Sequence, residues 1–188
     1  MDPIAIVDYR AGNLTSVRLA FDALGVQSSV TNDPAEIARA ERVVFPGVGA
    51  AKSAMASIAS LGLADVLKAA AATKPFLGIC LGMQILFEST EEDGGVDLLG
   101  ILPGKVRRFP QAEGCKIPQI GWNDACGEYY YFVHSYYAGI CPYTVGATKY
   151  AGVEFTSIVK KGRLWATQFH PEKSGRAGMA LLKEWLSC

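Results

Sequence analysis

The stretch KPFLGICLGMQILFEST, residues 74–90, decides how the rest of the chain is read. Its first half is a continuous apolar run behind a proline, which predicts a strand buried on both faces. Its second half, from Leu81, predicts a helix beginning directly behind that strand. A strand that passes into a helix without a loop belongs to an α/β sheet, and the upstream sequence repeats the alternation. IAIVDY (4–9) is a short apolar run, and AGNLTSVRLAFDALG (11–25) has helical spacing closed by Gly25. RVVFPGVG (42–49) predicts a further buried strand ending in a Gly-Pro cluster, with Ala-rich helical sequence to about residue 72. Apolar runs too continuous for a half-exposed sheet imply parallel strands covered on both faces.

Past about residue 100 the pattern changes. GKVRRF, IPQIGW, YYYFVHSYY, TVGATKY and LWATQFH read as short strands with no helical pattern between them. They predict an antiparallel extension of the same sheet. A last helix is expected from Ser174, its N-cap, to Leu186, with Met179, Leu182 and Leu186 at helical spacing. No linker or repeat interrupts the chain. The expectation is one domain over 1–188, of α/β class: a mostly parallel central sheet, helices on both faces, and an antiparallel extension in the C-terminal half.

Basic and acidic residues balance at 18 each, which disfavours nucleic acid or an anionic membrane surface as partner. No apolar run approaches the length of a membrane span, and Asp2 sits where a signal peptide would be basic, so a soluble, cytoplasmic protein is expected. Five cysteines, without a C-x-x-C pair, predict reduced thiols. The lack of a C-x-x-C pair and the presence of only two histidines argue against a structural zinc site, and no metal or cofactor is expected.

Gly78-Ile79-Cys80-Leu81-Gly82 is a G-x-C-x-G sequence, the thiol form of a nucleophile elbow. Its glycines suit a turn too sharp for side chains on either flank, and a helix N-terminus behind the cysteine favours thiolate. The plainer account is a small buried cysteine at a strand–helix junction; strand, glycines and helix together favour the nucleophile. A thiol nucleophile needs a base, and QFHPEKS offers His170. Pro171 biases His170 toward extended backbone. In extended chain Glu172 projects to the same side, about 6.6 Å away between Cα atoms, within reach to orient the imidazole. His134, in an aromatic strand with no carboxylate two residues away, reads as structural. The amide of Leu81 and the loop PGVGA (46–50) are candidate donors to a developing oxyanion.

G-x-C-x-G, PGVG and the late H-P-E together resemble the class I, triad-type glutamine amidotransferases. VDYRAGNLTSVRLAFDALG, IPQIGWN, and YYYFVHSYY with QFHPEKS are similar to the branch that supplies the glutaminase subunit of imidazole glycerol phosphate synthase. The likeness runs over nearly the whole chain. It implies hydrolysis of L-glutamine by Cys80, His170 and Glu172 through a glutamyl thioester. It also implies oxyanion donors at the amides of Leu81 and, after a loop rearrangement, Val48. Substrate contacts are implied at Gly49, Gln84, Glu92, Ser135 and Tyr136, with Glu92 meeting the ammonium group. Ammonia is expected to pass to a separate (β/α)₈-barrel cyclase subunit in a heterodimer, contacted through Asn13, Ser16, Trp122 and Lys173. One departure is bulky Arg10 in the glycine-containing turn YRAGN of that interface. The residues alone leave open another acceptor synthase, serving anthranilate, GMP or pyridoxal phosphate, and a silent binding subunit.

Overall fold

The computed structural model describes residues 4–188, so Asp2, on which the reading of the N-terminus rests, lies outside the described residues. The chain opens with β1 (Ile4–Val7) and α1 (Leu14–Ala23), and Gly25 follows at φ +73°, a conformation that suits glycine after a helix. Next come β2 (Ser28–Thr31) and the one-and-a-half-turn α2 (Pro34–Arg39), two elements without a counterpart in the sequence reading. Asp33 caps α2 through its Oδ1, which accepts from the Ala35 amide at 2.8 Å, and Pro34 occupies the first helical position. β3 (Arg42–Gly47) then leads to two helices, α3 (Ala51–Ser60) and α4 (Ala64–Thr73), broken at Gly62 with φ +65°.

β4 (Phe76–Cys80) passes without a loop into α5 (Leu81–Gln84). The expected helix through residue 90 is therefore corrected to a single turn. Tight 3₁₀-type bonds from the Leu86 and Phe87 amides to the Met83 and Gln84 carbonyls close it. Downstream the amides of Leu98 and Leu99 reach back to the carbonyls of Glu88 and Ile85, tying the segment into a second sheet. That sheet contains β5 (Ser89–Thr90), β6 (Val96–Asp97) and β7 (Lys105–Arg108). β8 (Gln119–Ala125) and β9 (Glu128–His134) form a separate antiparallel hairpin, and β10 (Tyr136–Ala138) pairs with β7. β11 (Thr144–Tyr150), β12 (Val153–Lys161), β13 (Leu164–Thr167) and α6 (Gly175–Leu186) complete the chain.

The main sheet has seven strands in the order β11-β12-β13-β4-β3-β1-β2. β13, β4, β3, β1 and β2 run parallel, and β11 and β12 extend the sheet antiparallel beyond β13. The antiparallel C-terminal extension is thus present, but GKVRRF, IPQIGW and YYYFVHSYY do not belong to it. Strand alternation splits the core. Val43, Phe45 and Phe76 face α3 and α4, while Val44, Leu77 and Ile79 face α1 and α6. Covering by helices on both faces explains why these strands read as unbroken apolar runs. No single helix among the described residues is long and apolar enough to cross a membrane.

Candidate active site

Cys80 sits where β4 becomes α5, with φ 55° and ψ −112°, a conformation that costs a non-glycine residue about 1–3 kcal/mol. The packing around it says why glycines flank it. A Cβ on Gly82 would run into the carbonyl oxygen of Phe45 in β3, and one on Gly78 would stand 3.1 Å from the Gly82 oxygen and from Leu86 Cδ1. The elbow is pressed against its neighbouring strand, and only glycine lets the turn approach so closely. The helix behind Cys80 has only four residues and carries little macrodipole, so the thiolate gains little from it, contrary to the expectation from the sequence.

The parallel register of β13 on β4, Thr167 beside Ile79, delivers the chain after β13 to the cysteine. His170 follows in extended backbone, φ −96° and ψ 97°, and its amide donates to the Tyr131 carbonyl at 3.0 Å. Beyond it the chain does not stay extended: residues 171–173 form a 3₁₀ turn, and the turn brings Glu172 back. Its Oε1 accepts from His170 Nδ1 at 2.8 Å, with both side chains 2% exposed. Since a carboxylate only accepts, Nδ1 carries the proton, and Nε2 has no hydrogen-bond partner. Burial pulls the His170 pKa down, but the proximity of the Cys80 sulfur and the Glu172 carboxylate outweighs it and raises the value to about 10. Nε2 makes no hydrogen bond, so the sulfur acts on the ring through its charge, and the bond to Glu172 is the fixed contact.

Ser174, expected as an N-cap, makes no capping bond to α6. Its hydroxyl is buried, donating to the His170 carbonyl at 2.6 Å and accepting from the Tyr131 amide at 3.0 Å. It braces the histidine turn against β9 instead.

A cavity of about 330 Å³ gathers Val48, Gly49, Cys80, Leu81, Gln84, Glu92, Ser135, Tyr136 and His170 on its walls. Glu172 stands behind His170 and does not reach the cavity. Gly49 has φ +95°, and Val48 is half-exposed at the loop between β3 and α3. Glu92 binds the start of α3, its Oε2 accepting from the Ala51 amide at 2.7 Å. Burial raises its pKa, the Ala51 bond opposes this, and Asp93 adds to it. His134 also lines the cavity, among the rings of Phe109, Phe132 and Phe155. Its Nδ1 donates to the Tyr136 carbonyl at 2.7 Å. Burial lowers its pKa to about 4 against that bond, with the charge of His170 adding to the fall, so the ring is neutral at neutral pH.

Asn13, Ser16, Trp122 and Lys173 lie outside the cavity. Asn13 caps α1, its Oδ1 accepting from the Ser16 amide at 3.4 Å, and α1 packs beside the turn that holds Lys173. Trp122 stands on β8, 56% exposed, with its ring edge-on to Tyr131. Arg10 takes φ 68°, and its amide donates to Asp8 Oδ1 at 2.8 Å.

Two residues near the sulfur escaped the sequence reading. Tyr9 is fully buried with an unpartnered hydroxyl, and a Cβ on Gly47 would meet it. Burial, then the neighbouring Cys80, raises its pKa. Gln168 is also fully buried, with its amide nitrogen 3.8 Å from Cys80 Sγ. The available signal was parity: Gln168 and His170 are two apart on a chain leaving a parallel strand.

The family model described as glutamine amidotransferase class-I matches residues 5–187. The imidazole glycerol phosphate synthase subunit HisH of Aromatoleum aromaticum is 45% identical, covering 100% of this chain and 99% of its own. That of Dehalococcoides mccartyi strain CBDB1 is 47% identical over 97% of this chain and 95% of its own. Among solved structures, a glutamine amidotransferase shares the fold with a TM-score of 0.75 at 16% identity, covering 98% of this chain and 97% of that one. A putative GMP synthase subunit from Thermoplasma acidophilum gives 0.71 at 17% identity, covering 100% and 93%. The chain therefore belongs to the class-I glutamine amidotransferase family and, within it, to the family of HisH subunits of imidazole glycerol phosphate synthase.

Proposed function

We propose that the whole chain acts as one glutaminase domain, hydrolysing L-glutamine and handing ammonia to a cyclase subunit with a (β/α)₈ barrel in histidine biosynthesis. The observation that carries this reading is the meeting of a strained cysteine elbow with a buried His170–Glu172 pair in one cavity, in a chain of the HisH family.

In this reading His170 takes the proton of the Cys80 thiol, and Sγ attacks the carboxamide carbon of glutamine, forming a C–S bond as the carbonyl electrons move onto oxygen. The amides of Leu81 and, once the loop after β3 turns inward, Val48 receive that oxyanion. His170 protonates the departing nitrogen, and ammonia leaves a γ-glutamyl thioester. His170 then takes a proton from water as its oxygen attacks the thioester; the C–S bond breaks, glutamate leaves, and His170 returns that proton to the sulfur. Glu172 holds the ring and stabilises its charged form throughout. Gly49, Gln84, Glu92, Ser135 and Tyr136 hold the substrate, Glu92 against its ammonium group.

Asn13, Ser16, Trp122 and Lys173 are assigned to the partner contact. Exposed Ile120, Trp122 and Tyr129 on the β8–β9 hairpin support that choice, since apolar and aromatic side chains of this size anchor interfaces. All five cysteines are free, which suits a reducing compartment such as the cytoplasm. Replacing Cys80 by alanine tests the assignment: glutamine-dependent synthesis by the complex is lost, while ammonia-dependent turnover by the cyclase persists. Surviving glutamine-dependent synthesis would sink it.

A further inference from the structure

A chain of side-chain amides runs behind the cavity. The Tyr136 carbonyl can only accept, so the amide nitrogen of Gln84 faces it, at 2.7 Å. The same nitrogen donates its second hydrogen to Gln168 Oε1 at 2.9 Å. With its oxygen so engaged, Gln168 must turn its NH₂ the other way, and there it meets Cys80 Sγ at 3.8 Å. A backbone carbonyl thus sets the polarity of both amides, and neither can be flipped without placing two oxygens or two nitrogens face to face. Gln168 is fully buried, and its own amide N–H is held by the Ser157 carbonyl at 2.9 Å.

We propose that Gln168 is a positioning residue for the glutaminase reaction, its NH₂ group holding the Cys80 sulfur and stabilising it whenever it carries negative charge. This rests on the reading of Cys80 as the nucleophile. Gln168 neither gives nor takes a proton; it acts before attack, and again when the thioester breaks and the sulfur departs. The separation is long for a hydrogen bond to sulfur, as expected of a site that tightens when charge develops. The other groups facing the sulfur are His170 from the segment after β13, the Tyr9 hydroxyl from the bend after β1 and the Val133 carbonyl from β9, with Glu92 and His134 on the cavity walls. Tyr9 and His134 are uncharged at neutral pH, and the Val133 carbonyl accepts from the thiol at 3.9 Å, contributing nothing to a thiolate. That leaves Gln168 as the neutral donor opposite the charged His170.

The test uses the full chain with Gln168→Met, which fills the space without a donor, and Gln168→Glu, which still accepts from Gln84 but turns an oxygen on the sulfur. Alkylation of Cys80 by iodoacetamide is followed against pH by peptide mass spectrometry. The pH profile is expected to move upward and the rate at neutral pH to fall about tenfold in Gln168→Met, and further in Gln168→Glu. In the complex with the cyclase, kcat falls in step while KM stays within about threefold. An unmoved profile in a folded variant, whatever its thermal midpoint, overturns the proposal. Should both variants fail to fold, the isotope-labelled Gln168 side-chain amide of the unmodified protein is followed by NMR. A shift tracking the alkylation profile supports the proposal, and its absence overturns it. A diazoketone analogue of glutamine separates the two levels. If it fails to modify Cys80 in the unsubstituted complex, the nucleophile reading falls. If it modifies Cys80 and Gln168→Met keeps the original profile, only the role of Gln168 falls.

Discussion

Replacing Glu172 by glutamine keeps the shape of the side chain and one accepting oxygen but removes its charge. In the structure that charge lies 2.8 Å from His170 Nδ1, and both side chains are 2% exposed. At an effective dielectric of about 20 the gross attraction at this separation is about 6 kcal/mol. Desolvation offsets part of it and the retained acceptor keeps another part. The net loss to the imidazolium is therefore about 3 kcal/mol, the lower end of the cost of removing one partner from a buried pair. Expressed in the transition state, that lowers kcat about 10²-fold. KM should stay within about threefold, because Glu172 does not reach the cavity. The assay is steady-state ammonia release by the complex with the cyclase and its ligand. The sign of the pH effect follows from the raised His170 pKa. The stability that charged His170 gains from the Cys80 sulfur and the Glu172 carboxylate is fully present below the unfolded value near 6.5 and is lost as pH rises through about 10. In Glu172→Gln the alkaline decline shrinks. A folded Glu172→Gln chain with kcat within about fivefold of the original would refute the reasoning.

Gly82→Ala forces a methyl group into the Phe45 carbonyl, so strand or elbow must move; a loss of about 1–3 kcal/mol in urea unfolding is expected, with slower modification of Cys80. Unchanged stability and labelling would show that the close approach is not needed. His134 binds its proton less readily when folded, so stability falls as pH drops from about 6.5 to about 4, by about 3 kcal/mol in all. In His134→Phe, whose ring fits among Phe109, Phe132 and Phe155, that acid slope should flatten, and an identical slope would contradict the assignment. Trp122→Ala removes a half-exposed ring, so the unfolding free energy of the isolated chain stays within about 0.5 kcal/mol. Calorimetric titration with the cyclase should show affinity falling by about 2 kcal/mol; undiminished binding would remove Trp122 from the interface.

The elbow was legible because its cause is local: a strand run, two glycines and a cysteine stand together in 76–82, and the Phe45 oxygen that demands Gly82 lies one strand away. The His170–Glu172 pair was legible for a reason only half right. Extended backbone at His170 places the ring, but a 3₁₀ turn returns the carboxylate. Sheet membership was not legible. β7, β8 and β9 have the composition of strands in any sheet, and only long-range pairing assigns them to small sheets of their own. β2 was missed because SSVT is polar and half-exposed at the sheet edge, without an apolar run to mark it. Ser174 shows the same limit: a residue type that suits a cap spends its hydroxyl on His170 and Tyr131, partners set by tertiary packing. Gln168 gave no signal beyond its parity with His170, since the amide chain behind it joins three segments distant in sequence.

In the proposed reaction Cys80 carries the glutamyl group between its two halves. Rapid acid quenching of the complex during turnover of L-glutamine, followed by peptide mass spectrometry, measures this directly. A glutamyl adduct is expected on the peptide containing Cys80, formed and lost at rates that match ammonia release, and absent from Cys80→Ala. Full turnover with no adduct on Cys80, or an adduct on another cysteine, would contradict it.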